Sequence, residues 1–323
     1  MKYKKVVVAG GGVLGSQIAY QSAYSGFDTV ILTHDEKSIA GINEKLDKLL
    51  KTYIETINLM SKKSSAEESW ARGIADKETF DKKECLEKAK KARESIVILT
   101  DQASAVDKAD LLIESITEDI DVKKEFYSQI AKVLPEKTVL VTNSSTLLPS
   151  KIAPSTKRPE KFLALHFANS IWKNNIAEVM KQPDTDPKYF KEIMEFAKAI
   201  HMIPLAANEE KSGYLLNSML VPFLLSAMDL VANGISDPET IDKAWKYGTG
   251  APKGPFEILD TVGLITAKNI VLQYQKVPDL FDPLLKKMML PYNFDGMLEI
   301  INKYVDKGKL GKQTKEGFYK YKD

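Results

Sequence analysis

Two residues in the stretch Phe162–Met180, FLALHFANSIWKNNIAEVM, have types and spacing suited to proton transfer: His166 and, twelve positions on, Glu178. An imidazole titrates near neutral pH and serves as a general base, and a carboxylate set against its second nitrogen orients the ring and stabilises the imidazolium. Phe162–Phe167 is a short, nearly continuous apolar run that reads as a buried strand with His166 near its end, and Ile176–Met180 is a second apolar run. Two adjacent strands joined by a polar turn would set Glu178 against His166. The bland alternative, a satisfied core histidine beside a strand-edge glutamate, fits the same residues, so the rest of the chain has to decide between them.

The elements that would position this pair begin at the amino terminus. The Val-rich run Lys5–Ala9 is followed by Gly10, Gly12 and Gly15 and then by a helical pattern through Tyr24. In a GxGxxG turn between strand and helix, Gly10 permits the tight turn, Gly12 lets a pyrophosphate approach the backbone and Gly15 lets the helix pack closely, with the helix amino terminus facing the anion. A second strand, Thr29–Thr33, follows Gly26. The dinucleotide fingerprint places an acidic residue about 20 positions on, at the tip of that strand, to take the ribose hydroxyls. Here Thr33 occupies the tip, while Asp35 and Glu36 come later, in the turn. NAD is therefore the expected cofactor, with NADP accepted as well.

From Lys37 to about Arg93, Leu46, Leu49, Leu50, Tyr53 and Ile57 recur at helical spacing, which predicts two long helices joined near Ser61–Ser65. The lysines of this excursion either are simply solvated or meet a phosphorylated substrate tail. Ile96–Leu99, Leu111–Ser115 and Thr138–Thr142 read as further strands, with a helix over Val122–Leu134 among them. Strands alternating with helices predict an α/β fold, a Rossmann-type doubly wound, mostly parallel sheet, whose ligands sit at the carboxyl ends of the strands. Glu118 and Lys123, the run Asn143 to Thr146, and His166 all fall at such ends.

Met202–Leu205 is the last expected strand, and after the polar link Ala206–Ser212 helical patterns dominate. An apolar stripe of Leu215, Met219, Phe223, Ser226 and Leu230 is interrupted by Pro222, where a kink is expected. The expected division is a dinucleotide-binding domain at 1–207, with the helical pair inserted at about 37–93, and an all-helical substrate and dimerisation domain at 208–323.

Composition narrows the function classes. A chain of 323 residues suggests two domains at ~150 residues each, and 44% hydrophobic residues fill proper cores. Lys+Arg 46 against Asp+Glu 44 leaves a formal charge of +2, with no basic block of the kind that tracks a nucleic-acid backbone. No apolar run reaches the ~18 residues of a membrane span, and the amino terminus enters a strand without a cleavable hydrophobic region, so a cytoplasmic protein is expected. Cys85 is the single cysteine and there are three histidines, which argues against a disulfide or a metal cluster.

These residues also carry a resemblance. Glu114–Glu118 with Lys123, NSST from Asn143, TKRPEKF at Thr156–Phe162, LHFAN at Leu165–Asn169 with Glu178, SGYLLN ending at Asn217, GAPKGPFEILD at Gly250–Asp260 and GFYKY at Gly317–Tyr321 occur in order over almost the whole chain. The sequence resembles the L-3-hydroxyacyl-CoA dehydrogenase family, of the 3-hydroxybutyryl-CoA type. The resemblance implies an NAD-dependent oxidoreductase acting at C3 of a short acyl-CoA, with His166 as base, Glu178 paired to it, and Ser145 and Asn217 at the substrate. It implies that Glu118 and Lys123 reach the nicotinamide half of a cofactor held with the help of Gly10, Gly12, Gly15, Thr33 and Asn143, and that the helical domain closes a homodimer. The chain departs from the family at Thr33, Ala168, Ser170, Trp172 to Asn175 and Gln313. Two other readings stay open: a sugar-acid dehydrogenase of the gulonate type, which also carries an LLPS turn like Leu147–Ser150, and a non-catalytic dinucleotide-binding relative.

Overall fold

Val6 and Val8 of strand β1 (Lys5–Ala9) pack into one core layer and Val7 and Ala9 into the other, which is why the strand reads as an unbroken apolar run. The structure, a computed structural model, describes residues 2–62, 70–275 and 292–321. After β1 come α1 (Val13–Tyr24), β2 (Asp28–Leu32), α2 (Lys37–Met60), α3 (Lys82–Ser95), β3 (Val97–Leu99), α4 (Gln102–Val106), β4 (Leu111–Glu114), α5 (Ile120–Ile130) and β5 (Val139–Thr142). Then follow β6 (Phe162–Phe167), β7 (Ile176–Met180), α6 (Pro187–Ala199) and β8 (Ile203–Ala207). The strands form one eight-stranded sheet in the order β3-β2-β1-β4-β5-β6-β7-β8. Every neighbouring pair is parallel except β6 and β7.

Helices α1, α2, α3 and α6 cover one face of the sheet through Ile18, Leu46, Ala89 and Phe196, and α4 and α5 cover the other through Val106, Tyr127 and Ile130. Each fully buried side chain of this size contributes about 1.5–3 kcal/mol of transfer free energy. Buried polar groups in α1 set the loops. The Gln21 amide donates to the carbonyls of Gly73 (2.7 Å) and Ile200 (2.8 Å) and accepts from the Tyr53 hydroxyl. Gln17 accepts the Ser170 N–H at 2.8 Å, which fastens the β6–β7 turn to the helix that follows the glycine loop.

Two expectations need adjustment. The second helix of the excursion starts only at Lys82, because the Asp81 side chain caps it by accepting the Glu84 N–H, and residues 70–81 carry only a short 3-10 turn at Lys77–Thr79. Of the expected join near Ser61–Ser65, residues 63 to 65 lie outside the described residues. Strand β2 spans Asp28–Leu32 and so ends one residue before Thr33, whose N–H donates to the Leu99 carbonyl at 2.9 Å.

By its contacts the chain divides into Met1–Leu215 and Leu216–Asp323, where the sequence suggested 207/208. The second unit contains α7 (Leu216–Ala232), which runs through Pro222, then α8 (Pro238–Thr249), α9 (Pro255–Val262), α10 (Leu264–Gln275) and α11 (Phe294–Val305). Buried Asp260 accepts the N–H groups of Phe318 and Tyr319, both at 2.9 Å, and the Tyr321 hydroxyl. Buried Asp242 likewise accepts the N–H groups of Phe256 and Glu257 at the start of α9. The motifs at Gly250–Asp260 and Gly317–Tyr321 are thus joined by one carboxylate and serve the architecture of this unit. Among the described residues no helix is long and apolar enough to cross a membrane.

Candidate active site

The antiparallel register of β6 and β7 places His166 directly opposite Glu178. Side chains opposite one another on such a pair share a face, and here they meet, with His166 Nδ1 3.0 Å from Glu178 Oε2. The other ring nitrogen, Nε2, lies 3.1 Å from Ser145 Oγ. An ionised carboxylate only accepts, so Nδ1–H donates to Glu178 and the neutral ring keeps its lone pair on Nε2, where the Ser145 hydroxyl donates to it. Glu178 is 1% exposed, and its second oxygen accepts the Leu215 N–H at 2.9 Å. Both oxygens are therefore bonded, as burial of a charge requires.

Ser145 reaches the ring because the loop after β5 is tied down from several sides. The Asn143 N–H donates to the Glu114 carbonyl (2.8 Å) and its side-chain oxygen accepts the Phe167 N–H (3.0 Å), so this residue joins the end of β5 to the ends of β4 and β6. Glu118 Oε1 accepts from Ser144 Oγ (2.6 Å), from the N–H groups of Ser145 and Thr146 (both 2.9 Å) and from Thr146 Oγ1 (3.0 Å). Burial alone would raise the pKa of this carboxyl; the bonds from Ser144 and Thr146 and the nearby Lys123 ammonium outweigh that and hold it below the ordinary glutamate range. Lys123 is itself buried, 2.5 Å from Glu114 Oε1 and 3.5 Å from Glu118 Oε2. Glu114 in turn accepts from Thr142 Oγ1 (2.8 Å) and the Ile116 N–H (2.9 Å).

A groove of about 870 Å³ runs along the carboxyl edge of the first strands, lined by Gly10, Gly12, Thr33, His34, Lys45 and Ile116 among others. A smaller cavity of about 250 Å³ is lined by Gly12, Lys123, Asn143 and Ser145, so the glycine turn and the loop after β5 share one space. The turn fits a dinucleotide. Gly10 has φ +105° and no room for a Cβ, which would lie 2.5 Å from the Ser115 carbonyl oxygen, and a Cβ on Gly15 would meet the Gly10 carbonyl oxygen at 2.0 Å. At Gly12, by contrast, there is open space, and as N-cap of α1 it has no side-chain bond to the first-turn N–H groups, which leaves them for an anion.

Thr33, which also lines the groove, is buried one residue past the end of β2. Asp35 does not replace the missing acid. Its Oδ1 accepts the Ser38 N–H at 2.7 Å and its Oδ2 pairs with His34 Nε2 at 2.9 Å; hydrogen bonding to Ser38, with His34 as a lesser contribution, keeps its carboxyl below the usual range.

Of the residues singled out from the sequence, the fold gathers His166, Glu178 and Ser145 into contact, with Asn143, Glu118 and Lys123 behind them, and places Gly10, Gly12, Gly15 and Thr33 along the groove. Asn217 stands in the first turn of α7, half-buried, two residues past Leu215. Three participants were not foreseen: Glu114, Tyr214 and the backbone of Leu215. Tyr214 lies inside the SGYLLN motif, and its ring stacks on His166 with centroids 4.6 Å apart and planes 15° from parallel.

The loop anchor is testable by pH. Because the folded Glu118 carboxyl has the lower pKa, its stabilisation is complete above the ordinary value of ~4.3 and is lost as pH falls through the depressed folded value. Hydrogen exchange should therefore show the Ser145 and Thr146 amides protected at neutral pH and released only below about pH 4. In Glu118→Gln these amides should exchange faster at neutral pH and show no acid step; wild-type protection in that variant would contradict the anchor.

Comparison with known proteins agrees over the full length. The family model for the 3-hydroxyacyl-CoA dehydrogenase NAD binding domain matches residues 5–210, and that for the 3-hydroxyacyl-CoA dehydrogenase C-terminal domain matches residues 213–321. The mitochondrial hydroxyacyl-coenzyme A dehydrogenase of Homo sapiens is 35% identical over 323 residues, covering 99% of this chain and 91% of that protein. A 3-hydroxybutyryl-CoA dehydrogenase of Clostridioides difficile is 29% identical over 321 residues, covering 98% and 99%. A solved structure of a diketoreductase, described in terms of dual catalysis of dicarbonyl compounds, is 42% identical with a TM-score of 0.81 and covers 99% of this chain and 100% of that one. The chain, with its glycine turn, its two-part match and its full-length relatives, belongs to the 3-hydroxyacyl-CoA dehydrogenase family.

Proposed function

We propose that this protein interconverts a short 3-hydroxyacyl-CoA and its 3-keto form, with His166 as the group that takes and returns the proton of the C3 oxygen. The observation that carries the reading is the His166–Glu178 pair at the carboxyl edge of the sheet, with Ser145 on Nε2 and the space beside Ser145 continuous with the glycine turn. A nicotinamide cofactor, when bound, accepts hydride from C3 or supplies it. His166 Nε2 receives the hydroxyl proton, and Glu178 offsets the charge that then appears on the ring. Ser145, and Asn217 from the first turn of α7, give neutral hydrogen bonds that orient substrate oxygens without competing as bases. Gly10 to Gly15 would hold the pyrophosphate and Thr33 would face the adenosine ribose. The lone Cys85 suits a reducing cytoplasm, and the exposed Met219 and Leu230 of α7 suit a homodimer closed through the helical unit.

A second reading keeps the chemistry and drops the coenzyme A. The 42% identity to a diketoreductase favours a free 1,3-dicarbonyl compound, whose C3 carbonyl is reduced in the same way. Acetoacetyl-CoA and ethyl acetoacetate, assayed side by side by NADH oxidation, separate the two readings, with oxidation of gulonate, followed as NAD reduction, as a third arm for the sugar-acid alternative. The thioester should give the higher kcat/KM. In either case His166→Gln should retain cofactor binding and lose at least the ~10²-fold in kcat typical of a general base, and Glu178→Gln should lose less. Near-normal turnover by the His166 variant would remove the mechanism.

Cofactor choice follows from Thr33. A hydrogen bond to a charged carboxylate is worth ~1.5–3 kcal/mol, so NAD should bind about tenfold or more poorly than to an aspartate at this position, while NADP escapes a like-charge penalty. His34 and Lys45 line the same groove. NADP should accordingly be used within about tenfold of NAD in kcat/KM, and Thr33→Asp should widen the preference for NAD. A wild type that excludes NADP a thousandfold, or a Thr33→Asp variant no more selective, would mean that another residue reads the ribose.

A further inference from the structure

Tyr214 holds a conformation that filling a core does not require. It follows Gly213, at φ +81°, and is itself left-handed at φ +52°, a region that a bulky side chain occupies only when its surroundings impose it. It is 1% exposed and packs with Ala164, Met180 and Ala207. From that position its ring lies nearly parallel to the His166 imidazole, and its hydroxyl donates to the Ser144 carbonyl at 2.8 Å. The next residue, Leu215, gives its N–H to Glu178. One turn of three residues thus touches the imidazole, its carboxylate and the loop that carries Ser145. Burial first, then the charges of Glu118 and Glu178, push the phenol far above its ordinary pKa, so it stays protonated and able to donate.

We infer that Tyr214 is a positioning residue for His166: the stacked ring fixes the imidazole plane so that Nε2 points to one spot, and the hydroxyl holds the Ser144–Ser145 backbone at the distance that Nε2 needs. The inference rests on His166 being the base. Hydrogen bonds to Glu178 at Nδ1 and to Ser145 at Nε2 lie along the ring and leave it free to turn about the line between them; a flat neighbour 4.6 Å away restrains that motion. Misplacement of a reacting group by about 1 Å costs up to ~10²-fold in rate, which sets the scale of the effect.

The test is a double-mutant cycle on the full-length enzyme, read as kcat, KM and cofactor dissociation constant. Tyr214→Leu should lower kcat roughly tenfold or more while the cofactor constant stays within about twofold. Tyr214→Phe, which keeps the ring and loses the tie to Ser144, should restore most of that kcat. In a His166→Gln background Tyr214→Leu should cost nothing further, because the group it positions is gone. Where the Leu variant does not fold, Tyr214→Met refills the volume with an unbranched side chain and carries the same expectations. A Tyr214→Leu kcat within about twofold of wild type, a Phe variant as impaired as the Leu variant, or the same loss repeated in the His166→Gln background overturns the inference and leaves the base assignment standing. Near-normal turnover by His166→Gln alone overturns the base assignment, and this inference with it.

Discussion

A carboxylate shut away behind an imidazole constrains everything near it. Glu178 is buried on β7, and a charge there is tolerable only with donors on both oxygens; they come from the His166 ring on β6 and from the Leu215 N–H. The first donor requires β6 and β7 to pair antiparallel in one register, since a slip by a single residue would turn Glu178 to the opposite face of the sheet. The second requires the chain to turn back after β8 so that residues 213–215 pass beside the pair. The single antiparallel pairing in an otherwise parallel sheet therefore builds the site.

The register was legible in the sequence because both strands announce themselves. Phe162–Phe167 and Ile176–Met180 are apolar runs of strand length, most of the intervening residues are polar, and in the pairing of the two strands His166 and Glu178 stand level. The glycine turn was legible for a similar reason, since local backbone geometry demands those residues where they stand. What could not be read was tertiary. Lys123 was placed with Glu118 at a strand end, but its burial against Glu114, nine positions earlier and on another element, at 2.5 Å was not readable from either residue. Tyr214 looks like a core aromatic, and nothing in its type or spacing signals a left-handed backbone or a stacked imidazole. The start of α3 turned on one capping residue, Asp81, within a stretch where Lys and Glu suit a helix throughout.

The departures from the family pattern between His166 and Glu178 have structural work beyond the site. Ser170 adopts φ +60° and gives its N–H to Gln17, and the Trp172 ring lies 5.8 Å from Tyr53 of α2. The Trp172 carbonyl accepts the Gly73 N–H at 3.0 Å, at a place where a Cβ on Gly73 would fall 2.7 Å from the Ile171 carbonyl oxygen. The turn that follows His166 is thereby locked to the inserted helices.

In this site Glu178 decides which nitrogen of His166 carries the proton. Nitrogen-15 NMR of the imidazole side chains, with His166 assigned by its loss in His166→Gln, reads this directly through the chemical shifts and two-bond couplings of the two ring nitrogens. The neutral His166 ring should be protonated at Nδ1, against Glu178, with a bare Nε2 facing Ser145. A neutral ring protonated at Nε2, with a bare Nδ1 turned to Glu178, would contradict it.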